Sequence, residues 1–324
     1  MIIMVVKLDT TDKRILFELE RNARLPDVKI AKIVGKSKDA VRYIIKRMEE
    51  EGVIQQWKTW IDLSKLGYRA NTIYLNIMNL PEKKRKLIVE IKSNPNVYWI
   101  GVAEGSWNIG ITYFVKSNVE LYDIKNSLLS RYSDLIVDIH VTSLVSVSVH
   151  EKTFLVRGNS SLITFTEQVE QIEIDSISKK ILQEIYFDSR KNIATIAYRL
   201  KTSVDIVRNR IKNMEEKRVI IRYTIAIDYQ KVGYEFYKAS VYIKSFKKDD
   251  IASMLKYAEQ SNTIINIVRQ IAPWDIELVV FARSFKEYSS SIGEFVTKFK
   301  NSIKKVDTAV MGEDIIFPCS KLPL

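Results

Sequence analysis

The sequence predicts an α+β protein in which a winged-type helix-turn-helix domain, followed by a ferredoxin-like βαββαβ module, occurs twice in tandem. The first supporting observation is an internal repeat, because residues 8–68 align without a gap on residues 174–234 at a constant offset of 166 positions. The second is that each copy shows amphipathic helical segments followed by strands and helices in the order βαββαβ. The repeat is much longer than the roughly 20 to 50 residues of solenoid repeats, so it indicates a duplicated pair of domains.

The composition limits the classes of protein to which the chain can belong. Its 324 residues include 51 Lys and Arg against 39 Asp and Glu, and the net charge of +12 favours a polyanionic partner such as double-stranded DNA. The single cysteine, Cys319, excludes an internal disulfide, and two histidines are too few for a Cys/His zinc cluster. No stretch approaches the ~20 apolar residues of a membrane span. We therefore expect a cytoplasmic protein with no cofactor, no metal and no membrane partner.

The predicted helix-turn-helix begins with two helices in each copy. The first is expected to begin at Thr10 or Ser176, whose hydroxyl can cap it, and the second covers residues 28–34 or 193–200. A short turn, at Gly35 in the first copy, leads to a third helix that Ser37 or Ser203 would cap. A helix, a tight turn and a second helix with a free face form the arrangement that places a recognition helix in the major groove of DNA.

The third helix of each copy, here called the recognition helix, has one apolar face and one basic face. The apolar positions are Val41, Ile45 and Met48, with Val207, Ile211 and Met214 in the second copy. Seven basic residues and one acidic residue lie between positions 29 and 47, and five basic residues and one acidic residue lie between 195 and 213. The candidates for contacts to base edges are Arg42, Tyr43, Lys46, Arg208, Asn209 and Arg210. The candidates for phosphate contacts are Lys36, Ser37, Lys38, Arg47, Lys201, Ser203 and Lys212. The alternative is a solvated helix face with incidental charge.

Each helix-turn-helix is followed by a segment whose apolar pattern predicts the order βαββαβ. In the first copy the predicted elements are residues 71–78, 83–93, 97–103, 109–115, 119–132 and 141–149. In the second copy they are residues 239–243, 250–259, 264–270, 276–281, 285–299 and 307–316. The predicted domains are helix-turn-helix domains at 1–62 and 174–228, ferredoxin-like sensing modules at 63–155 and 229–324, and a linker at 156–173. The linker contains Gly158-Asn-Ser-Ser161, where a flexible join is expected.

The second copy resembles the Lrp/AsnC (leucine-responsive/asparagine regulator) family of prokaryotic transcription regulators. The matching residues are Arg190, Ala197, Ser203, Val207, Arg210, Ile211, Lys212, Met214, Glu215, Val219, Ile220, Asp228, Gly233 and Tyr234. Each copy resembles a whole family member, so the resemblance extends over essentially the whole chain. It implies sequence-specific DNA binding by a helix-turn-helix that is joined to a ferredoxin-like (RAM-type) domain, which senses a small molecule. Because family members pair two chains, the two modules here are expected to pair as an internal pseudo-dimer. Two such chains would then associate as a homo-oligomer, a dimer.

The resemblance also implies an amino-acid-like effector near the hairpin between the two middle strands, where the family usually carries a Gly and an Asp. The first copy has Gly105 but Asn108 at the Asp position, and the second has Asp275 but Ala272-Pro273 in the glycine region. The candidate effector-binding residues are Glu104, Gly105, Trp107, Asn108, Trp274 and Asp275. The alternative is that both tryptophans are interface or core aromatics.

The two recognition helices differ at one family position, because Ile44 in the first copy stands where the second has Arg210. We therefore expect the helices to read different half-sites, so that a perfect palindrome is not required. An alternative function is an architectural protein that binds DNA without sequence preference.

A further alternative is an enzyme like the sirohaem decarboxylases, which resemble this chain in domain plan and use histidines in and near the middle hairpin. Neither hairpin of this chain contains a histidine. His140 and His150 share the predicted polar side of a strand with Ser146 and Ser148, which favours exposed structural histidines. No nucleophile elbow, phosphate-binding loop or pair of carboxylates stands out either, so no enzymatic activity is predicted.

Overall fold

In a computed structural model, the described residues are 4–150, 155–156, 162–166, 171–244, 248–316 and 322–324. The chain divides into two units. The first, here called the helix unit, contains residues 4–62, 155–156 and 172–234, and so the helix-turn-helix domains of both copies. The second, here called the sheet unit, contains the ferredoxin-like modules of both copies. Like domains of the two copies therefore pack together.

The helices and strands follow the predicted order. In chain order the helices are α1 (Thr10–Arg21), α2 (Asp27–Val34), α3 (Lys38–Glu50), α4 (Pro81–Ser93), α5 (Asn118–Arg131), α6 (Ser176–Tyr186), α7 (Ile193–Arg199), α8 (Val204–Glu216), α9 (Lys248–Gln260) and α10 (Phe285–Lys298). The strands are β1 (Ile54–Ile61), β2 (Arg69–Ile77), β3 (Val97–Gly105), β4 (Ile109–Val115), β5 (Ile136–His150), β6 (Leu162–Thr166), β7 (Ile220–Ile227), β8 (Glu235–Ile243), β9 (Ile264–Ile271), β10 (Ile276–Ala282) and β11 (Ile303–Ile316). Strand β6, which pairs with β5, lies inside the predicted linker, where no strand was expected. The expected flexible join at 158–161 lies outside the described residues.

The first helix of each copy begins at a carboxylate cap, one residue before the predicted hydroxyl. Asp9 and Asp175 each accept a hydrogen bond from a backbone N–H of the first turn, at 2.8 and 2.7 Å. The predicted caps, Thr10 and Ser176, are instead the first helical residues of α1 and α6. A carboxylate at this position also interacts favourably with the positive end of the helix dipole, which a hydroxyl does not.

Backbone hydrogen bonds between equivalent residues join the two copies within the helix unit. Strands β1 and β7 pair antiparallel. Beyond the strands, the Ser189 N–H donates to the Trp57 carbonyl at 3.1 Å, and the Ala23 N–H donates to the Tyr223 carbonyl at 3.0 Å. These two contacts are related by the 166-residue repeat, so each copy donates one N–H and accepts at one carbonyl of this equivalent pair. The pairing satisfies edge groups that one copy alone would leave without partners.

Two equivalent arginines reinforce this junction. The guanidinium of Arg24 lies over the Tyr223 ring and that of Arg190 over the Trp57 ring, each with its central carbon 4.2 Å from the ring centroid. Their Nε atoms donate to backbone carbonyls of the opposite copy at 2.5 and 2.6 Å. A planar guanidinium can stack and donate hydrogen bonds at the same time, which a lysine ammonium cannot. Arg190, a residue of the family pattern, therefore stabilises the junction between the copies.

The sheet unit is a single antiparallel sheet built from both modules. Its strand order is β2-β4-β3-β11-β8-β10-β9-β5-β6, and β5 also pairs with β2, so the first eight strands of this order close on themselves. The two long strands cross between modules. Strand β5 pairs with β2 of its own module and then with β9 of the other, and β11 pairs with β8 and then with β3.

The two faces of this sheet differ in composition because side chains alternate along each strand. One face packs against the helices of its module and is aliphatic, with Ile73 and Leu278 fully buried. The opposite face carries an aromatic cluster with members from both modules. In it, the Tyr74 ring lies 5.1 Å, centroid to centroid, from each of the Trp107 and Trp274 rings. The two modules thus share a core in addition to their strand pairing.

A buried ion pair lies beside this aromatic cluster. Lys238 Nζ is 2.8 Å from the Glu277 carboxylate, and the two side chains are 9% and 1% exposed. The Tyr74 hydroxyl donates to the same carboxylate at 3.0 Å, and the ammonium lies 3.8 Å from the centroid of the Trp99 ring. Burial, followed by the negative charge of Glu277, raises the pKa of Tyr74 well above its ordinary value. Tyr74 therefore remains a hydrogen-bond donor across the physiological pH range.

Replacing Lys238 with methionine should lower the free energy of unfolding of the sheet unit by about 3 to 5 kcal/mol, because it leaves the Glu277 carboxylate buried without its counter-ion. Chemical denaturation of the full chain measures this loss. The matched control is Lys305→Met, which breaks the exposed ion pair with Asp307 and should leave the unfolding midpoint unchanged. Equal effects of the two substitutions would contradict the assignment.

Candidate nucleic-acid interface

Both recognition helices are present, as α3 and α8, and serine caps them as predicted. Ser37 and Ser203 each accept a hydrogen bond through Oγ from an N–H of the first turn, at 3.1 and 3.2 Å. In the turn before each helix, the equivalent residues Gly35 and Lys201 adopt positive φ angles of 67° and 52°. Glycine takes this conformation without strain, whereas lysine does not. Because each serine only accepts in its cap, its hydroxyl proton can still be donated to a phosphate.

The apolar stripe of each recognition helix is buried and its basic face is exposed. The stripe residues Val41, Ile45, Met48, Val207, Ile211 and Met214 are each at most 5% exposed. Eleven of the thirteen residues predicted to contact DNA are exposed, namely Lys36, Ser37, Lys38, Arg42, Tyr43, Lys46, Lys201, Ser203, Arg208, Asn209 and Lys212. The other two, Arg47 and Arg210, are half-buried. The structure therefore brings the predicted residues together on one outward surface in each copy, apart from these two arginines.

Arg47 and Arg210 bind carboxylates of their own domains. Arg47 Nη2 lies 2.6 Å from the buried Asp12, and Arg210 Nη2 lies 2.5 Å from Asp175. The two arginines are not equivalent in the repeat, yet each connects its recognition helix to the N-terminal end of α1 or α6. The contrast between Ile44 and Arg210 thus has a structural reason, because Arg210 takes the role that Arg47 has in the first copy. This geometry favours a role for both arginines in supporting the recognition helix, and their contact with DNA stays a prediction.

The equivalent arginines Arg42 and Arg208 remain on the outward face. Arg42 Nε lies 3.6 Å from Asp27, and Arg208 forms an ion pair with Asp205 one turn before it on the same helix. The arginine side chains are 61% and 58% exposed. The pair of Arg208 with Asp205 is exposed on both sides and contributes about 0 to 1 kcal/mol, so a phosphate or a base edge can replace this carboxylate. Asp27 is 17% exposed and also binds Arg190, so it keeps a partner when Arg42 contacts DNA.

The middle helix of each copy carries an exposed residue outside the predicted DNA contacts. Tyr198 on α7 is 87% exposed, and its equivalent on α2, Lys32, is exposed as well. The signal was an aromatic residue on the polar side of an amphipathic helix. In helix-turn-helix complexes the helix before the recognition helix crosses the DNA backbone, where a hydroxyl or an ammonium can meet a phosphate.

The polar hairpin residues predicted to bind an effector have structural contacts. Asn108 Oδ1 and Asp275 Oδ2 accept hydrogen bonds at 3.0 and 2.7 Å from the last backbone N–H of β2 and β8. Gly105 has a φ of 124°, and a Cβ atom there would lie 2.3 Å from a carbonyl oxygen of β11. Glu104 is exposed, with its carboxylate 4.0 Å from the Lys84 ammonium. The Asn and Asp at the family position thus stabilise the hairpin, and the glycine permits close strand packing.

The two hairpin tryptophans are buried in the aromatic cluster. Trp107 and Trp274 are 1% and 4% exposed, and both contact Tyr74. Within the described part of the chain, neither indole N–H has a hydrogen-bond partner. This geometry fits the alternative interpretation of both residues as core aromatics.

The strand that carries the histidines is more buried than predicted. Ser146 and Ser148 are 1% and 2% exposed, so the prediction of a polar, solvent-facing side was wrong for them. Strands β9 and β6 flank this half of β5 on its two edges, and the serines lie within that paired stretch. His140 is 38% exposed, with Nε2 3.0 Å from Asp138. The side chain of His150 lies outside the described residues.

Residues 8–55 match the family model of winged helix-turn-helix DNA-binding domains. The transcriptional regulator LrpA of Pyrococcus abyssi is 33% identical over 123 residues, which are 38% of this chain and 86% of that protein. LrpA of Pyrococcus horikoshii is 32% identical over 124 residues and 87% of its length. The chain belongs to the Lrp/AsnC family. Each of these relatives corresponds in length to one copy of the repeat, so the chain is a duplicated form of the Lrp-type regulator.

A solved structure matches this Lrp/AsnC-family chain over nearly its full length. The crystal structure of the siroheme decarboxylase NirDL aligns with a TM-score of 0.65, covering 97% of this chain and 93% of that one at 14% sequence identity. At this identity the likeness shows a shared fold. It supports the arrangement of two helix-turn-helix domains and two ferredoxin-like modules in the order observed here.

The described residues contain neither a candidate membrane span nor a candidate metal cluster. No helix found there is long and apolar enough to cross a membrane. No group of three or more His, Cys, Asp and Glu side chains in the same part of the chain could hold a metal ion.

Replacing Arg210 with methionine should destabilise the helix unit by roughly 0.2 to 1 kcal/mol without changing the DNA sequence that is bound. Hydrogen bonds from Ser178, followed by the Arg210 charge, hold the pKa of Asp175 below its ordinary value of 3.8. The contribution of this pair is therefore present above pH 3.8 and is lost as the pH falls through the lowered pKa. Thermal unfolding at neutral and acidic pH measures it.

The matched control is Arg208→Met, which removes an exposed arginine of the same helix. It should leave the unfolding temperature unchanged and weaken DNA binding. The reverse pattern would return Arg210 to the DNA contacts.

Proposed function

We propose that the chain is a sequence-specific DNA-binding transcriptional regulator whose two recognition helices both enter the major groove. The observation that carries this proposal is the pair of serine-capped helices, α3 and α8, each with a buried apolar stripe and an exposed basic face. Arg42 and Arg208 are suited to bidentate contacts with guanine. The lysines around them, such as Lys46 and Lys212, are suited to phosphates.

The strand pairing between copies supports the further proposal that one chain acts as an internal pseudo-dimer. Reciprocal contacts join the helix-turn-helix domains, and β5 and β11 each pair with the opposite module. The Tyr74 hydrogen bond to Glu277 adds a buried contact between the modules. On this proposal one chain presents two recognition helices, as two chains do in an ordinary dimeric helix-turn-helix protein. Association of two chains and a cytoplasmic location stay predictions.

Control by an amino-acid-like effector also stays a prediction. Of its candidate residues, Asn108 and Asp275 bind backbone amides, and Trp107 and Trp274 are buried. The geometry favours a structural role for these four, so an effector would have to displace existing contacts.

Replacing Arg42 or Arg208 with alanine should each weaken binding to the selected operator by about 1 to 3 kcal/mol, because each removes a base contact of the recognition helix. Gel-shift titration at fixed salt measures the affinity. Arg85→Ala is the matched control, since Arg85 is 67% exposed on α4 of the sheet unit and should not contribute. Unchanged binding in both arginine variants would overturn the proposal.

Competition between the selected operator and unrelated DNA distinguishes this proposal from the alternative, an architectural protein without sequence preference. For the specific regulator, unrelated DNA should compete for the chain far less well than the selected operator does, at every salt concentration. The logarithm of the binding constant should also fall linearly with the logarithm of salt concentration, by about 0.9 for each phosphate contact. Equal competition by unrelated DNA would favour the architectural function.

The fold likeness to NirDL motivates a test for tetrapyrrole chemistry. Titration with sirohaem should leave its absorption spectrum unchanged, since neither middle hairpin carries a histidine. A spectral change that is lost in the His140→Ala variant would instead support a decarboxylase-like enzyme.

A further inference from the structure

We infer that Tyr43 on α3 and Asn209 on α8 make the two half-sites of the operator different, with adenine specified at only one of them. This inference rests on the proposed function, because it assigns the bases that the two recognition helices read. The contrast between Ile44 and Arg210 is a weaker candidate for this difference, because Arg210 Nη2 lies 2.5 Å from Asp175.

The two recognition helices are oriented alike within their domains. Their buried stripes match position for position, and both begin at a serine cap. Two exposed basic positions also match, Arg42 with Arg208 and Lys46 with Lys212. A residue at a given position of α3 therefore faces outward in the same direction, relative to its domain, as its equivalent on α8. A difference in residue type at such a position therefore changes the base that the helix can recognise.

The outward position next to the shared arginine holds Tyr43 in one helix and Asn209 in the other. Tyr43 is 68% exposed, and Asn209 is exposed as well. An asparagine amide offers one acceptor and two donors in a plane, which matches N6 and N7 of adenine in a bidentate contact. A tyrosine ring cannot make that contact and offers an apolar surface, which suits the methyl group of thymine.

The other differences on the outward surface lie in the first turn and at the C-terminal end, where Arg47 is equivalent to the exposed Asn213. Asn213 lies in the last turn of α8, whereas the N-terminal residues of a recognition helix contact base edges. Lys38 stands opposite Val204, and Ala40 opposite Ile206, which is 40% exposed. Lys38 can contact a phosphate, which carries no sequence information. Ala40 and Ile206 are both apolar and offer no hydrogen bond to distinguish bases. The position of Tyr43 and Asn209 is therefore where the two helices differ most in base recognition.

Fusion makes this difference unavoidable in the bound complex. Both recognition helices belong to one unit of one chain, so every chain presents one recognition helix with Tyr43 and one with Asn209. A homodimer would present two identical helices and favour a palindrome. The operator of this chain should share the guanine that faces Arg42 and Arg208 in both half-sites. It should differ at the neighbouring base.

Selection from a random pool of double-stranded DNA tests the inference with the full-length chain and the Tyr43→Asn variant. The wild type should select two half-sites that differ at one base, with adenine in one of them. The variant carries asparagine at both positions and should select adenine in both half-sites. Tyr122→Asn is the matched control, because Tyr122 is 59% exposed on α5 of the sheet unit and should not alter the selected sequence.

The reciprocal variant, Asn209→Tyr, should lose the adenine preference and bind the wild-type operator roughly 5- to 150-fold more weakly. Selection of identical half-sites by the wild type, or an unchanged sequence in both variants, would overturn the inference and leave DNA recognition intact. If the wild-type chain enriches no sequence from the pool, the proposed function fails as well.

Discussion

Each unit of this protein depends on backbone pairing between the two copies of the repeat. A strand with a free edge exposes N–H and C=O groups that need partners. In the helix unit, β1 and β7 supply those partners to each other, and Arg24 and Arg190 close the same junction from both sides. In the sheet unit, β5 and β11 are long enough to pair first within their own module and then with the other. The duplication therefore produces two units in which neither copy is complete without the other.

This approximate symmetry is broken in the shared core of the sheet unit. The buried Lys238 and Glu277 occupy positions whose equivalents in the first module are Thr72 and Gly110. Tyr74, which binds Glu277, has Ser240 as its equivalent. Each of these large or charged side chains thus has a smaller equivalent in the other module. Because Lys238 and Glu277 both belong to the second module, a pair of first modules would lack this ion pair, and its Tyr74 hydroxyls would lose the carboxylate that accepts from Tyr74 here. The hydrogen bond from Tyr74 to Glu277 therefore needs one module of each kind.

This chain shares its fold with a decarboxylase and belongs to a family of regulators. The two findings are compatible, because function depends on the side chains that a fold carries. The features that distinguish this chain are local. Its recognition helices present exposed arginines and lysines, and its middle hairpins carry tryptophans that fill the shared core. The Asn and Asp of those hairpins bind backbone amides, which explains why the family position can hold either residue.

The sequence by itself determined the duplication, the order of helices and strands, the serine caps and the apolar stripes of the recognition helices. These depend on spacing within short segments, where a period of 3.6 or 2 and a capping residue act locally. Tertiary structure alone decided the partners of Arg47 and Arg210, the burial of Ser146, Ser148 and the two tryptophans, and the pairing of β5 and β11 across modules. Each of these depends on residues far apart in the chain, and a local pattern shows that a side chain is charged or aromatic without showing which distant group it meets.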